Sequence, residues 1–215
     1  MTSELESKRR EYRYAKLSRS KLAESPFDQF SRWMDEAIDA EVQDPTAMCV
    51  ATVGSDGKPS QRIVLLKRID SNDFIFYTNT ESRKAKEISE NEHVSLHFAW
   101  LEIDRQIHIE GSAERISAAT ALKYFITRPR DSQLAAWASP QSRRISSRSM
   151  LENEFQRMQE KFSNKEIPLP SFWSGYRVSP ERWEFWQGGE RRLHDRFEYS
   201  PFESEKAWEI NRLAP

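Results

Sequence analysis

Short segments rich in β-forming residues recur along this chain of 215 residues, and turn residues separate them. Ala47–Val53 is the clearest of these segments, and a glycine-containing turn at 54–57 joins it to another at 61–69, which predicts a hairpin. Further strands are predicted at 73–79, 94–100, 105–116, 176–187, 192–199 and 207–213. Because so many short strands follow one another, the chain is expected to be mainly β.

A few amphipathic segments interrupt the strands, and they predict helices at 26–42, 82–91, 117–127, 132–138 and 147–162. The strands do not alternate regularly with these helices, and no glycine-rich turn leads from a strand into a helix, so a Rossmann domain is not expected. The pattern favours an α+β fold, in which an antiparallel barrel carries peripheral helices. Residues 1–25 are polar and without a stable period, which predicts a mobile N-terminal arm before a single domain at 26–215.

The charge balance argues against a polyanionic partner. The chain has 33 basic and 34 acidic residues, a net charge of -1, so no global field favours nucleic acid or an acidic membrane. Any anion must therefore be bound by local clusters of Arg and Lys. No run approaches 18 apolar residues, and residues 1–21 lack the apolar stretch of a secretory signal, so a cytoplasmic protein is expected.

The segment 186–196 carries the densest group of candidate site residues. If 192–199 is a regular strand, Arg192, His194 and Arg196 share one face, which predicts a pocket for an anion or an electron-rich ring. A solvated strand face is the alternative. On the preceding strand Trp186 lies on the polar face, which suits stacking on a flat ligand better than packing in the core.

Two helix ends suit phosphate. Arg83 and Lys84 begin a helix that Thr80 or Ser82 could cap, and backbone N–H groups at a helix N-terminus attract anions. An ordinary capped surface helix is the alternative there. Tyr124 and Arg128 lie one turn apart on another helix, and Ser132 follows after Pro129, so two hydroxyls and a guanidinium could bind a second phosphate. The competing interpretation is an ordinary surface arginine at a helix end.

The pair Arg62 and Lys67 poses a problem of parity. On a regular strand the two side chains lie on opposite faces, so they could serve one site only through a bulge, a strand end or a subunit boundary. Metal binding is not expected, because His93 and His97 lie on a predicted strand and the chain has a single cysteine.

Seven motifs, taken in order, resemble the pyridoxine/pyridoxamine 5'-phosphate oxidase family. They are DPTAM at 44–48, QRIVLLK at 61–67, FYTN at 76–79, SRKA at 82–85, RPRDSQ at 128–133, PLPSFW at 168–173 and RLHDR at 192–196. The likeness runs from RREY at 9–12 to RLAP at 212–215, nearly the whole chain. Each motif alone is weak, but the ordered set is highly specific.

The resemblance implies a homodimeric, FMN-binding split β-barrel with each FMN between two subunits, which would remove the parity problem. The FMN ligands that it implies are Arg62, Lys67, Tyr77, Thr78, Arg83, Lys84, Gln106, Gln141, Ser142, Trp186 and Arg196. The substrate contacts that it implies are Arg9, Tyr12, Lys67, Tyr124, Arg128, Ser132, Arg192 and His194, with Arg192 and His194 as the catalytic pair.

The implied reaction oxidises pyridoxine 5'-phosphate or pyridoxamine 5'-phosphate to pyridoxal 5'-phosphate, by hydride transfer to FMN and then to dioxygen, which gives hydrogen peroxide. The alternative is a non-catalytic flavin- or haem-binding protein on the same barrel. The second phosphate pocket argues against that alternative, because a flavin carrier does not need one.

Overall fold

The computed structural model describes residues 10–202 and 207–215, so the predicted substrate contact Arg9 lies outside the described residues. Nine strands form one sheet: β1 (Ala47–Val53), β2 (Pro59–Leu65), β3 (Arg68–Asp70), β4 (Asp73–Asn79), β5 (His93–Trp100), β6 (Arg105–Arg115), β7 (Trp173–Gln187), β8 (Asp195–Pro201) and β9 (Trp208–Leu213). The hydrogen-bonded order is β2-β1-β5-β6-β7-β4-β3, and β8 pairs with β7 and β9. The mainly β fold class is confirmed.

Within the described residues five α-helices accompany the sheet: α1 (Pro26–Asp39), α2 (Arg83–Glu90), α3 (Ala118–Phe125), α4 (Arg130–Ala138) and α5 (Arg148–Lys161). Local chemistry explains their starts. Pro26 occupies the first turn of α1, where its missing N–H costs nothing. Ser82, Ser117 and Ser147 each accept a hydrogen bond from a backbone N–H of the helix that follows. No helix in the described ranges is long and apolar enough to cross a membrane.

The chain divides into two compact units. The first unit comprises Met1–Val50, Ser95–Gly111 and Pro180–Pro215, and the second comprises Ala51–Val94 and Ser112–Ser179. The predicted division into an arm at 1–25 and one domain at 26–215 stays a prediction. In the first unit the buried rings of Phe30 and Trp33 on α1 contact Trp183 and Phe185 edge to face. Burial of these large rings contributes to the apolar core that stabilises this unit.

The second unit has its own core beneath α3, α4 and α5. Phe125, Leu134, Met158, Phe162 and Trp173 are among its buried members. Phe125 meets Trp173 edge to face, with ring centroids 5.1 Å apart. This core anchors one end of α3 and the start of β7, which both contribute to the site described below.

Two strand predictions require correction. The predicted strand at 61–69 is broken into β2 and β3, because the backbone N–H of Lys67 bonds to the carbonyl of Ile75 and the chain changes partner there. The predicted strand at 192–199 begins only at Asp195. Before it the chain makes a short 3₁₀ turn, Glu190–Arg192, in which Arg191 and Arg192 have φ values of 57° and 64°.

Candidate functional site

A cavity of about 440 Å³ in the second unit brings together three cations of the predicted site. We call it the cationic cavity. Its lining is Ile63, Val64, Leu65, Lys67, Tyr77, Thr78, Asn79, Lys84, Tyr124, Arg128, Ala135, Ala136, Ser139, Gln141 and Trp173. A cavity with several cations and no lining carboxylate is suited to an anion.

Lys84 is the most unusual of these cations, because only 7% of its surface is exposed. Its Nζ donates to Thr78 Oγ1 and to Gln141 Oε1, both at 2.9 Å. No carboxylate pairs with it among the described side chains. Burial, with repulsion from Arg62, lowers its pKa to about 8. A buried ammonium held only by neutral oxygens fits an anionic ligand such as a phosphate.

Arg128 is a second cation without a charged partner. Its Nη1 is buried and makes no hydrogen bond to any described residue. Its guanidinium lies 4.9 Å from the ring centroid of Trp173, and burial lowers its pKa. Tyr124, one turn earlier on α3, stacks on Tyr77 with ring centroids 3.9 Å apart. The predicted pairing of Tyr124 and Arg128 in one site is therefore consistent with their shared place in the cavity lining.

Arg62 and Lys67 have different surroundings within this chain. Because β2 stops at Leu65, Lys67 is free of strand alternation and lines the cationic cavity, where its side chain is exposed. Arg62, still inside β2, contacts Thr52 Oγ1 at 2.6 Å and Glu87 Oε2 at 3.4 Å. The strand end therefore does not bring the two cations into one site of this chain, and their service in a shared site stays a prediction.

Glu87 on α2 is a residue that sequence reasoning missed. It is 7% exposed, and its carboxylate accepts hydrogen bonds from Ser60 at 2.6 Å, Thr52 at 2.5 Å and Arg83 at 2.6 Å. Burial alone would raise its pKa, but these hydrogen bonds and the charge of Arg83 lower it to about 2. The carboxylate therefore holds Arg62 and Arg83 in place. The available signal was its position four residues after Arg83 on a helix.

Two predicted hydroxyls do not line the cavity. Ser132 is half-buried in the first turn of α4. Ser142 is exposed and has a φ of 68° in the turn after Gln141. Their assignment as ligands stays a prediction.

The remaining predicted residues form an aromatic and basic group in the first unit. The ring of His194 lies 4.6 Å from that of Trp186 and 5.3 Å from that of Tyr12, centroid to centroid. The guanidinium of Arg192 lies 5.5 Å from the Tyr12 centroid. Arg192, His194 and Trp186 are therefore neighbours, although not for the reason of strand alternation.

A tight turn keeps Arg192 and His194 out of strand β8. A side chain at Gly189 would place Cβ 2.2 Å from the carbonyl oxygen of Leu193, so the chain folds back tightly on itself there. A tight turn of this kind cannot continue as an extended strand. Only Arg196 remains on β8, where Glu184 binds its guanidinium through two oxygens at 2.7 and 2.9 Å.

Hydrogen bonds define the state of the His194 ring. The backbone N–H of Gly189 donates to Nδ1 at 3.1 Å, which leaves Nε2 to carry the proton of the neutral ring. Partial burial and the positive charge of Arg192 lower the pKa of His194.

Gln106, the remaining predicted ligand, has its Oε1 3.1 Å from His97 Nε2. Across 10–202 and 207–215 no cluster of His, Cys, Asp and Glu is arranged to hold a metal ion.

The chain matches two parts of one enzyme family. Residues 34–162 match the family described as "Pyridoxamine 5'-phosphate oxidase". Residues 173–215 match the "Pyridoxine 5'-phosphate oxidase C-terminal dimerisation region", which confirms the predicted homodimer.

Close relatives cover the chain from end to end. A "Pyridoxine/pyridoxamine 5'-phosphate oxidase" of Shewanella baltica is 54% identical over 99% of this chain and 100% of its own. The protein of the same name from Hahella chejuensis is 56% identical over 98% of this chain and 99% of its own.

Solved structures agree on the fold. PhzG from Burkholderia lata, in complex with tetrahydrophenazine-1-carboxylic acid, has a TM-score of 0.85 and 30% identity, covering 91% of this chain and 95% of its own. An FMN-binding protein of Nostoc punctiforme, related to pyridoxamine 5'-phosphate oxidase, has a TM-score of 0.70 at 16% identity, covering 90% of this chain and 100% of its own. The split-barrel fold class is confirmed. This chain belongs to the pyridoxine/pyridoxamine 5'-phosphate oxidase family.

Proposed function

We propose that this protein oxidises pyridoxine 5'-phosphate and pyridoxamine 5'-phosphate to pyridoxal 5'-phosphate, with FMN as cofactor and dioxygen as the final acceptor. The observation that carries the proposal is the cationic cavity, where Lys67, Lys84 and Arg128 line one space with no carboxylate among them. Such a cavity suits phosphorylated ligands, and both the cofactor and the substrates of this family carry a phosphate.

The residues fit the phosphate of FMN. Lys84 offers a buried ammonium, and Glu87 holds Arg62 and Arg83 side by side. Their joint charge with the carboxylate is positive, which suits a phosphate dianion. The other proposed FMN ligands are Lys67, Tyr77, Thr78, Gln106, Gln141, Ser142, Trp186 and Arg196. When bound, FMN accepts a hydride from the 4' carbon of the substrate and passes the electrons to dioxygen, which yields hydrogen peroxide.

The substrate phosphate is assigned to Lys67, Tyr124, Arg128 and Ser132. The buried, unpartnered Nη1 of Arg128 supports this assignment, because a buried donor without an acceptor costs free energy that a phosphate oxygen would recover. The phosphate lies far from the reacting carbon, so these contacts bind ground state and transition state about equally.

Arg192 and His194 are proposed to orient the reacting carbon. The neutral ring of His194 carries its proton on Nε2 and would donate a hydrogen bond to a substrate oxygen. The guanidinium of Arg192, with several N–H donors in a fixed plane, would orient the substrate for transfer from its 4' carbon. Tyr12 lies beside both residues and would exclude water from this side of the substrate.

A non-catalytic flavin or haem carrier is the competing function. It leaves the group of Tyr124 and Arg128 without a role, since a flavin carrier needs ligands for one phosphate only. Arg128 and Tyr124 line the cationic cavity in addition to Lys84, and this surplus of phosphate ligands suits an enzyme with a phosphorylated cofactor and a phosphorylated substrate.

The test is steady-state oxidation of pyridoxine 5'-phosphate in air by the FMN-loaded protein and by Arg128→Ala. The variant is expected to raise KM with little change in kcat, and to lower kcat/KM about 10- to 150-fold, since a charged hydrogen bond is worth roughly 1.5–3 kcal/mol. Arg157→Ala is the matched control, because Arg157 pairs with Glu154 on the exposed face of α5. An unchanged KM in Arg128→Ala would contradict the assignment.

The location of the enzyme is a separate proposal. We place it in the cytoplasm, and subcellular fractionation with an antibody against the protein would check this. Recovery in a secreted or membrane fraction would contradict it.

A further inference from the structure

Trp173 is the first residue of β7, and only 7% of its surface is exposed. In the pairing of β4 with β7, Asn79 lies opposite Trp173 and Tyr77 lies opposite Gly175. Trp173 and Gly175 are two residues apart and share a face, so Trp173 is a diagonal neighbour of Tyr77. The two rings are nearly parallel, 8° apart in plane with centroids 5.3 Å apart.

The guanidinium of Arg128 packs against the rings of Trp173 and Phe125. Its guanidinium carbon lies 4.9 Å from the Trp173 centroid and 5.8 Å from that of Phe125. Its Nη1 has no hydrogen-bond partner within the described residues, and no carboxylate neutralises it there. Trp173 is therefore the nearer of the two rings to this guanidinium, and cation–π attraction increases where water is excluded.

Tyr124 is also a neighbour of this indole. The Tyr77 and Tyr124 rings stack at 3.9 Å and 15°, and the Tyr124 and Trp173 centroids are 6.2 Å apart with planes 10° apart. One indole therefore packs beside both the guanidinium of Arg128 and the stacked pair of Tyr77 and Tyr124.

We propose that Trp173 is a positioning residue for the substrate phosphate, which acts through Arg128 and Tyr124 and not through a contact of its own. The inference rests on the proposed function, since it assumes that Arg128 binds the phosphate of the oxidised vitamer. It adds a role for the tryptophan that ends the PLPSFW motif. Side chains that are already held in the binding geometry bind a phosphate more tightly, because they lose less conformational freedom on binding.

The experiment measures kcat and KM for pyridoxine 5'-phosphate in Trp173→Leu and Trp173→Phe, both loaded with FMN. The leucine removes the aromatic face, so KM is expected to rise about 2- to 30-fold, the range of a cation–π contact. The phenylalanine keeps a ring and is expected to rescue part of the loss. The kcat of both variants is expected to stay within about twofold of the parent value, because uniform binding is affected.

Trp137→Leu is the matched control. Trp137 belongs to the same core as a partly buried member and also lies under a cation, Lys161 at 5.2 Å, but it does not line the cationic cavity. It is expected to lower the melting temperature and leave KM unchanged. An equal rise of KM in Trp137→Leu would show a general packing effect and overturn the inference.

A double-mutant cycle separates positioning from other effects. In the Arg128→Ala background, Trp173→Leu is expected to raise KM by a smaller factor than it does in the parent protein, because Arg128 is one of the two residues through which Trp173 acts and only Tyr124 remains. Equilibrium dialysis of pyridoxal 5'-phosphate against the same four proteins gives a readout independent of turnover and is expected to show the same pattern. Full additivity of the two substitutions, or an unchanged KM in both Trp173 variants, would overturn the inference.

Failure of the proposed function can be distinguished from failure of the role proposed for Trp173. If the parent protein does not oxidise pyridoxine 5'-phosphate, the function itself is wrong. If the parent protein is active and Arg128→Ala raises KM while the Trp173 variants do not, only the role of Trp173 is wrong. Should Trp173→Leu fail to fold, Trp173→Phe alone decides, since retained aromatic volume preserves the core.

Discussion

At the scale of single residues, Lys84 shows how burial gives an ordinary side chain a specific chemistry. Its pKa is lowered to about 8 from 10.5. Since its pKa is lower in the folded state than in the unfolded chain, the charged ammonium costs folding free energy. That cost is present in full below about pH 8 and disappears as the pH rises towards 10.5. An anionic ligand offsets the same cost by binding to the charged form.

The affinity of the apo-protein for FMN is therefore expected to fall as the pH rises through about 8, by up to tenfold per pH unit, because the charged fraction of Lys84 falls. In Lys84→Arg the guanidinium stays charged, so the affinity is expected to vary less with pH. Quenching of flavin fluorescence between pH 7 and 9.5 measures this dissociation constant.

Lys86→Arg is the control for that titration, because Lys86 is exposed on the same helix and should keep the parent pH dependence. A parent protein whose FMN affinity is constant across this pH range would remove Lys84 from the set of phosphate ligands.

At the scale of elements, the pairing of β4 with β7 builds the aromatic floor of the cationic cavity. Gly175 leaves room for the ring of Tyr77 directly opposite. A Cβ at Gly175 would lie 2.6 Å from the carbonyl oxygen of Phe76 and 2.9 Å from Tyr77 Cδ1. Contacts that short force the backbone or the ring to move.

Gly175→Ala is expected to lower the free energy of unfolding by about 1–3 kcal/mol, the range for overpacking, and to raise KM because Tyr77 supports Tyr124. Denaturant unfolding and steady-state kinetics measure the two effects. Gly54→Ala is the control, since a Cβ there meets nothing closer than 3.4 Å. Equal unfolding midpoints for the two variants would show that β7 tolerates a methyl group at this position.

At the scale of the whole molecule, the homodimer decides how complete sites are assembled. The group around Lys84 and Arg128 and the group around Trp186 and His194 are each built within one unit of the chain. The family resemblance implies that each FMN lies between two subunits. On that basis we predict that Arg128 and Arg192 serving one site come from different subunits of the dimer.

Mixing tests this prediction. At a substrate concentration well below the parent KM, where the rate follows kcat/KM, Arg128→Ala and Arg192→Met are each expected to be poorly active, but a heterodimer of the two contains one intact site. After random exchange half of the dimers are mixed and each has one intact site of two, so the mixture should regain about a quarter of the parent activity. Refolding the two variants together and measuring oxidation in air would show this.

A mixture that is no more active than the two variants measured apart would place Arg128 and Arg192 of one site on the same chain. Sedimentation at micromolar concentration is the companion measurement. A fully active monomer that retains its FMN would contradict a shared site altogether.

Much of the architecture was predictable because its causes are local. The serines before α2, α3 and α5 cap those helices through hydrogen bonds to residues three positions away, and the short apolar run at Ala47–Val53 and the aromatic-rich run at Asp73–Asn79 mark their strands correctly. The ordered motifs also identified the family and named Lys84, Tyr124 and Arg128 before any geometry was known. These signals depend on neighbours in the sequence, and the sequence by itself determined them.

Tertiary structure decided the rest, because it depends on which distant residues face each other. The break after Leu65 follows from the backbone hydrogen bond between Lys67 and Ile75 of another strand. The residue pattern at 61–69 does not indicate this break. The same holds for Glu87, which becomes a ligand of Arg62 only when β2 and α2 pack together. Trp173 contacts Arg128 from 45 positions away in the sequence, so only the folded chain shows that an indole lies beside the guanidinium to which we assign the substrate phosphate.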